Sequence, residues 1–332
     1  MSVKIIGAGI AGLTCAVALA EKGIKAELYE RGPTVGAPTC SWYAGGMLAP
    51  WCERESAEEI VVTQGVSALS WWAQHASSVQ QNGTLVLAAP RDVADLTRFS
   101  RRTSEYEWVD EARIAALEPD LAGRFRKGLF FPQEGHLNPR EAMHTLYKTF
   151  VKLGGVVHFN TELPEDYQKS AYAQAEDIWI DCRGLPARQQ LKDLRGVRGE
   201  MLLLKTSEIS FSRPVRLLHP RIPLYIVPRG EGIFMVGATM IESDSPGEAR
   251  ALSIAELLNG AYTIHPAFGE AEILELGSGV RPAFADNIPK VIHQTPHQFY
   301  INGMHRHGYL LAPWLAQQTA LSVSHLLEEH AL

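Results

Sequence analysis

Residues 3–30 constrain this chain more than any other stretch. Val3-Lys4-Ile5-Ile6 reads as a short buried strand that runs straight into Gly7-Ala8-Gly9-Ile10-Ala11-Gly12. From Leu13 to Lys22 the apolar residues Leu13, Ala16, Val17 and Ala20 share one helical face. Gly23 ends that helix as a C-terminal glycine does. Lys25-Ala26-Glu27-Leu28-Tyr29 is a second strand, and Glu30 closes it. Strand, glycine turn, helix, strand and acid form the opening unit of a dinucleotide-binding sheet. Gly7 permits the tight turn, Gly9 lets a pyrophosphate reach the backbone, and Gly12 lets helix pack on strand. The helix N-terminus offers free N–H groups and partial positive charge to phosphates. Glu30 is placed to accept from ribose hydroxyls; read alone, it is also a solvated acid at a strand end. It would repel a 2′-phosphate, although Arg31 follows it.

The fingerprint does not separate FAD from NAD, but three later features favour FAD. Ser41-Trp42-Tyr43-Ala44-Gly45-Gly46-Met47-Leu48-Ala49-Pro50 holds paired glycines that let backbone lie flat on a large planar ring. Gly303-Met304-His305-Arg306-His307-Gly308-Tyr309-Leu310-Leu311-Ala312-Pro313 is bounded by glycine, carries a cation, and leads into a helix expected over 313–329. Such a helix N-terminus would stabilise negative charge on a reduced flavin. The nucleotide motif opens the chain and this segment nearly closes it, as a flavin running between the two would require.

Composition bounds the remaining possibilities. At 332 residues, two domains are expected. Hydrophobic residues make up 46% and charged residues 20%, as in a folded globular protein. The net charge is -6 and no Lys/Arg block stands out, which gives no support to nucleic-acid binding. Cys15, Cys40, Cys52 and Cys182 form no C-x-x-C pair and suggest neither a disulfide framework nor a metal site. The apolar run from Ile5 to Ala20 holds the glycines, has only Lys4 ahead of it, and shows no cleavage site, so it is not read as a signal peptide. No run reaches the roughly 20 apolar residues of a membrane span. A cytoplasmic location with reduced thiols is expected.

Helices are expected over 61–75, 92–103, 110–117, 138–153 and 253–262. Asn138 would cap the fourth, with Pro139 as its first residue. Strands are expected at Thr84–Ala88, Gly128–Phe131, Val156–Phe159, Asp177–Cys182, Glu200–Lys205, Leu224–Val227, Ile233–Val236 and Glu272–Gly279. The fold class is therefore α/β, with a Rossmann-like FAD-binding domain and an antiparallel-sheet substrate domain. The first is discontinuous, over 1–80, 130–195 and 275–332; the second takes 81–129 and 196–274.

Three side chains stand out as substrate ligands. Arg281, in Gly279-Val280-Arg281-Pro282, is either a surface charge or a planar fork for a carboxylate. Arg306 lies in a segment otherwise fit for burial and needs a partner, either a nearby acid or a substrate carboxylate. Tyr225, in Leu224-Tyr225-Ile226-Val227-Pro228-Arg229, alternates with apolar neighbours and alone reads as a core tyrosine.

Taken together, Gly7 to Gly12, Glu30, the GGMLAP segment at 45–50, YIVPR at 225–229, GATM at 237–240, GVRP at 279–282 and HRHG at 305–308 resemble the D-amino-acid oxidase family, and within it the glycine-oxidising branch. The resemblance spans nearly the whole chain. It implies FAD held non-covalently by Gly7, Gly9, Ile10, Ala11, Gly12, Glu30, Arg31, Ser41, Gly45, Gly46, Met47, Val157, Gly184, Arg281, His305, Arg306, His307, Gly308, Tyr309 and Leu310. It implies that Arg281 binds the substrate carboxylate, that Tyr225 adds a hydrogen bond, that Arg306 lies at the flavin end, and that Met240 lines the pocket. The implied reaction is oxidation of glycine by O2, giving imine or glyoxylate and H2O2, in supply of thiamine thiazole synthesis. N-substituted glycines such as sarcosine or iminodiacetate, and a flavin dehydrogenase with another acceptor, are the alternatives. Two departures bear on the substrate: His307 follows the arginine, and Leu217-Leu218-His219-Pro220-Arg221 could receive a second carboxylate. A homo-oligomer is possible.

Overall fold

A computed structural model of the chain describes residues 2–36, 39–172, 174, 176–219 and 223–330. Along the chain, β1 (Val3–Ile6), α1 (Ile10–Glu21) and β2 (Ala26–Tyr29) are followed by β3 (Met47–Leu48), α2 (Pro50–Arg54), α3 (Glu59–Gly65) and α4 (Ala68–His75). Next come β4 (Thr84–Ala88), α5 (Val93–Ser100), β5 (Glu107–Asp110), α6 (Glu111–Leu117), β6 (Lys127–Phe131), β7 (Gly135–His136), α7 (Pro139–Lys152), β8 (Val156–His158) and β9 (Ile178–Asp181). The remainder is β10 (Arg195–Lys205), β11 (Val215–Leu218), β12 (Leu224–Pro228), β13 (Ile233–Gly237), β14 (Ile241–Glu242), α8 (Ala251–Ile264), β15 (Glu272–Ala283), β16 (Lys290–Thr295), β17 (Gln298–Asn302) and α9 (Gly308–Glu329).

Among the described residues the strands form two large sheets. The six-stranded sheet runs β16-β17-β9-β1-β2-β8, parallel except for β16 with β17. Its core joins α1, α4, α7 and α9 through Leu13, Val17, Trp72, Leu146 and Leu311, all buried. β1 is buried throughout, as a central parallel strand must be. The Asn138 side chain accepts from Arg140 N–H at 3.1 Å and caps α7, with Pro139 at its first position.

The second sheet has nine strands, in the order β14-β10-β13-β12-β11-β4-β6-β5, with β15 on the other side of β10. It is antiparallel apart from β4 with β11. One face buries Leu202, Phe234, Ile226 and Leu217 with Leu257 and Ala261 of α8. The opposite face carries Met201, Met235 and Val227 against Tyr43 and Tyr225, and it is this face that looks onto the site.

Several sequence expectations are corrected. The boundary at 275 falls inside β15, which pairs with β10 from Glu272 to Ala283, so 275–283 lies in the second sheet; β6 likewise overruns the boundary at 130. The helix expected over 61–75 is two helices, broken at Val66-Ser67 just after Gly65, whose bare Cα faces Leu310. Glycine weakens a helix at that point. α9 starts at Gly308, and Pro313 lies inside it. Proline has no N–H for the carbonyl one turn back. Trp72 Nε1–H supplies that donor instead, reaching the Tyr309 carbonyl at 2.7 Å. β5, β11, β16 and β17 were not anticipated.

Candidate active site

The glycine turn has the shape its sequence requires. Gly7 has φ +97°, a region open to glycine. A Cβ on Gly12 would sit 1.9 Å from the Gly7 carbonyl oxygen, so α1 packs on the turn at a distance that excludes any side chain. Gly9 is uncrowded on the protein side: the nearest atom to a Cβ there would be Ser41 Oγ, at an ordinary contact distance of 3.5 Å. The first N–H groups of a helix lack intrahelical partners. Ser41 Oγ takes the one from Ile10 at 3.1 Å, leaving Ala11 and Gly12 next in line. The Glu30 carboxylate accepts from Ala8 N–H at 2.7 Å and Gly32 N–H at 2.8 Å, bracing the turn. Each oxygen keeps a further lone pair for a hydroxyl. Arg31 is exposed beyond it, and Val157 pairs with Leu28 in β8 with its side chain against the core. Open backbone at Gly9, free helical N–H groups and an acid at a strand end fit a dinucleotide.

The second glycine region lies beside it. Gly308, the first residue of α9, approaches Ile10, the first of α1: a Cβ on Gly308 would be 3.3 Å from Ile10 Cγ2. Two helix N-termini, each carrying partial positive charge, therefore converge. Gly45 and Gly46 do lie against planar groups, but these belong to the chain. A Cβ on Gly45 would meet the Tyr225 ring at 2.8 Å, and one on Gly46 the Leu137 carbonyl oxygen at 2.3 Å. Arg229 holds this turn, donating to the carbonyls of Leu137, Ala44 and Gly45 at 2.9, 3.1 and 2.9 Å; burial pulls its guanidinium down to about 10. Met47 pairs with His136 in the small sheet of β3 and β7. Tyr309 spends its hydroxyl on the Ser41 and Pro139 carbonyls, and Leu310 packs on Gly65, so what these two residues leave toward the cradle is backbone. Gly184 lies under Pro282 and is held by Asn302 at 2.9 Å.

Between this region and the second sheet is a cavity of about 360 Å³. Arg281, Tyr225, Arg306 and Met240, the four side chains singled out for substrate, all line it. Arg281 donates to the Thr239 carbonyl at 3.1 Å and, among the described residues, pairs with no carboxylate. Its guanidinium lies over Gly199, where a Cβ would fall 2.1 Å from Nη2. Met240 is 53% exposed at the rim. His305 is fixed by its N–H to the Pro282 carbonyl at 2.8 Å; burial, with His307, Arg306 and Arg281 around it, pushes its imidazole down to about 3. It is therefore neutral at working pH. Pro220 and Arg221 of the basic stretch near Tyr225 lie outside the described residues.

Sequence reasoning missed the acid that organises this cavity. Glu53, on α2, pairs with Arg306 through both oxygens, Nε to Oε2 at 2.6 Å and Nη2 to Oε1 at 2.9 Å. Arg216 Nη1 lies 3.8 Å from Oε1 and His307 Nδ1 3.4 Å from Oε2. The buried acid Arg306 required is thus in the chain. Burial works to raise the Glu53 carboxyl, but Arg306, His307 and Arg216 outweigh it and hold it at about 2. A carboxyl whose folded pKa lies below its unfolded value of 4.5 stabilises above that value and loses the gain as pH falls toward 2. Glu53→Gln should therefore cost about 3 kcal/mol at pH 7, and the gap to the parent should close between about pH 5 and pH 2. Urea titrations of both proteins across that range check it; a gap independent of pH would contradict the assignment.

A family model described as FAD dependent oxidoreductase (DAO) matches residues 2–321. A Rhizobium etli protein assigned to thiamine biosynthesis as the oxidoreductase ThiO is 53% identical over 321 residues, covering 96% of this chain and 95% of that one. Among solved structures, glycine oxidase from Geobacillus kaustophilus aligns with TM-score 0.83 at 22% identity, over 99% of this chain and 94% of that one. Iminodiacetate oxidase from Chelativorans sp. BNC1 aligns with TM-score 0.79 at 20% identity, over 97% and 95%. At those identities the two structures speak for the fold and not for the substrate. Among the described residues no helix is long and apolar enough to cross a membrane, and no group of three or more His, Cys, Asp or Glu could hold a metal. With the glycine cradle, the convergent helix ends and the match over nearly all its length, the chain belongs to the DAO family of FAD-dependent oxidoreductases.

Proposed function

We propose that this enzyme oxidises glycine to its imine, which hydrolyses to glyoxylate and ammonia or feeds thiazole formation in thiamine biosynthesis, with O2 reduced to H2O2. The observation that carries the reading is Arg281: a guanidinium on the cavity wall with one carbonyl partner and no acid among the described residues, beside Tyr225 and Arg306. A planar fork left without a carboxylate is a receptor for one. The name of the Rhizobium etli relative supports the pathway.

The unit around the six-stranded sheet holds FAD through the 7–12 cradle, Glu30, and the first turn of α9, while the second sheet provides the substrate wall. Bound FAD supplies a two-electron acceptor for hydride from the substrate α-carbon, which O2 reoxidises. Arg281 grips the carboxylate and so fixes the direction of the α-C–H bond. Tyr225 donates its hydroxyl proton to the same end. The positive wall disfavours an ammonium, so the amine enters with its lone pair free and no side chain need remove a proton in the oxidation. Neutral His305 adds no charge. The enzyme works in the cytoplasm. The test is H2O2 release on adding glycine to FAD-loaded protein; no H2O2 and no bleaching of the flavin would overturn the reading. Bleaching without H2O2 would indicate a different electron acceptor.

A further inference from the structure

We propose that Arg216 forms a second anion subsite in the cavity, so that small ligands carrying two acid groups bind there more tightly than those carrying one. The proposal rests on the reading of Arg281 as the first carboxylate receptor and adds a second.

Among the described residues, three guanidiniums line this one cavity, those of Arg216, Arg281 and Arg306. Among the described residues the carboxylate nearest to Arg216 is Glu53, and both its oxygens are committed to Arg306. Arg216 is left at 3.8 Å from it, beyond hydrogen-bond length, with one bond of 3.3 Å to the Cys52 carbonyl and the Phe99 ring 5.4 Å away. It is nevertheless only 6% exposed. A second buried acid, Glu134, is tied to Cys52 N–H at 2.7 Å, and burial pushes its carboxyl up to about 7, so at neutral pH it is a weak counter-charge. Glu256 also lines the cavity, from α8 beside exposed Leu252, and among the described residues it pairs with none of the arginines. A buried cation without a full partner is costly, and a ligand that brings the missing charge recovers that cost.

The sheet also sets the two receptors apart. Arg216 on β11 is directly opposite Tyr225 on β12, which is opposite Gly237 on β13. Arg281 is on β15, beyond β10. The strand bearing Tyr225 thus lies between the two arginines, and a ligand over Tyr225 has one on each side. Glycine, with one acid group, uses one.

The test titrates FAD-loaded protein with methoxyacetate and diglycolate, two ethers that differ by one carboxylate and hold no amine to oxidise. Binding is read from the flavin spectrum. We expect diglycolate to bind at least about tenfold tighter, with a steeper loss on adding salt. Arg216→Gln should remove that preference while moving methoxyacetate affinity less than about twofold, and Arg216→Lys should keep part of it. Equal binding of the two acids by the parent, or an equal loss of both in Arg216→Gln and Arg216→Lys, would overturn the proposal. Arg281→Ala separates it from the reading beneath: unchanged methoxyacetate binding there would refute Arg281 as first receptor. If methoxyacetate binding is lost in Arg281→Ala but the parent shows no diacid preference, only the second subsite fails.

Discussion

Gly12→Ala should yield a protein that no longer retains FAD. The added Cβ would fall 1.9 Å from the Gly7 carbonyl oxygen, which is backbone and lies within a turn pinned by Glu30. Either α1 withdraws from the turn or the turn opens, and both displace the N–H groups that would face a pyrophosphate. Overpacking against a rigid neighbour costs about 3 kcal/mol, so stability falls as well. Gly9→Ala is the matched control, because its Cβ would make only an ordinary contact, with Ser41 Oγ at 3.5 Å. That variant should keep parental stability yet bind FAD weakly, since only the ligand side is blocked. Flavin absorbance of the purified proteins, together with urea titration, separates the two. A yellow, fully stable Gly12→Ala protein would contradict the packing described.

Arg281→Ala should raise KM for glycine by about 100-fold, equivalent to about 3 kcal/mol for a lost charge-assisted pair. FAD content and stability should change little, because among the described residues Arg281 gives the fold one hydrogen bond, to the Thr239 carbonyl. Arg281→Lys should recover only part of the loss, as an ammonium keeps the charge without the fork. Steady-state kinetics with glycine decide it; an unchanged KM would remove Arg281 from the carboxylate site.

How much of this could be read in advance depends on where each residue finds its partner. The cradle at 7–12 and the capped start of α7 were legible because every participating group lies within about thirty residues. Arg281, Tyr225, Arg306 and Met240 were legible through family-like segments, and the structure brings all four to one cavity. Glu53 was not: it lies in a run with Arg54, Glu55, Glu58 and Glu59 that looks like a solvated face, and its partner Arg306 is 253 residues away. The one local sign is the apolar run Met47-Leu48-Ala49-Pro50-Trp51-Cys52 that leads up to it. Arg216 was hidden in the same way, since alternation with Val215 and Leu217 would place it on a solvent face had α2 not covered it. The start of α9 was misplaced because proline favours a first turn, and the donor that lets Pro313 sit deeper comes from Trp72.

The Glu53 carboxylate touches side chains carried by β11 and by the segment leading into α9, so a single short helix spans cofactor side and substrate side. Positions 53, 216 and 306 consequently do not vary independently. A pocket redesigned at Arg306 inherits an orphaned acid, and double-mutant cycles pairing position 53 with 306 should depart from additivity, while cycles pairing position 53 with Arg281 should not.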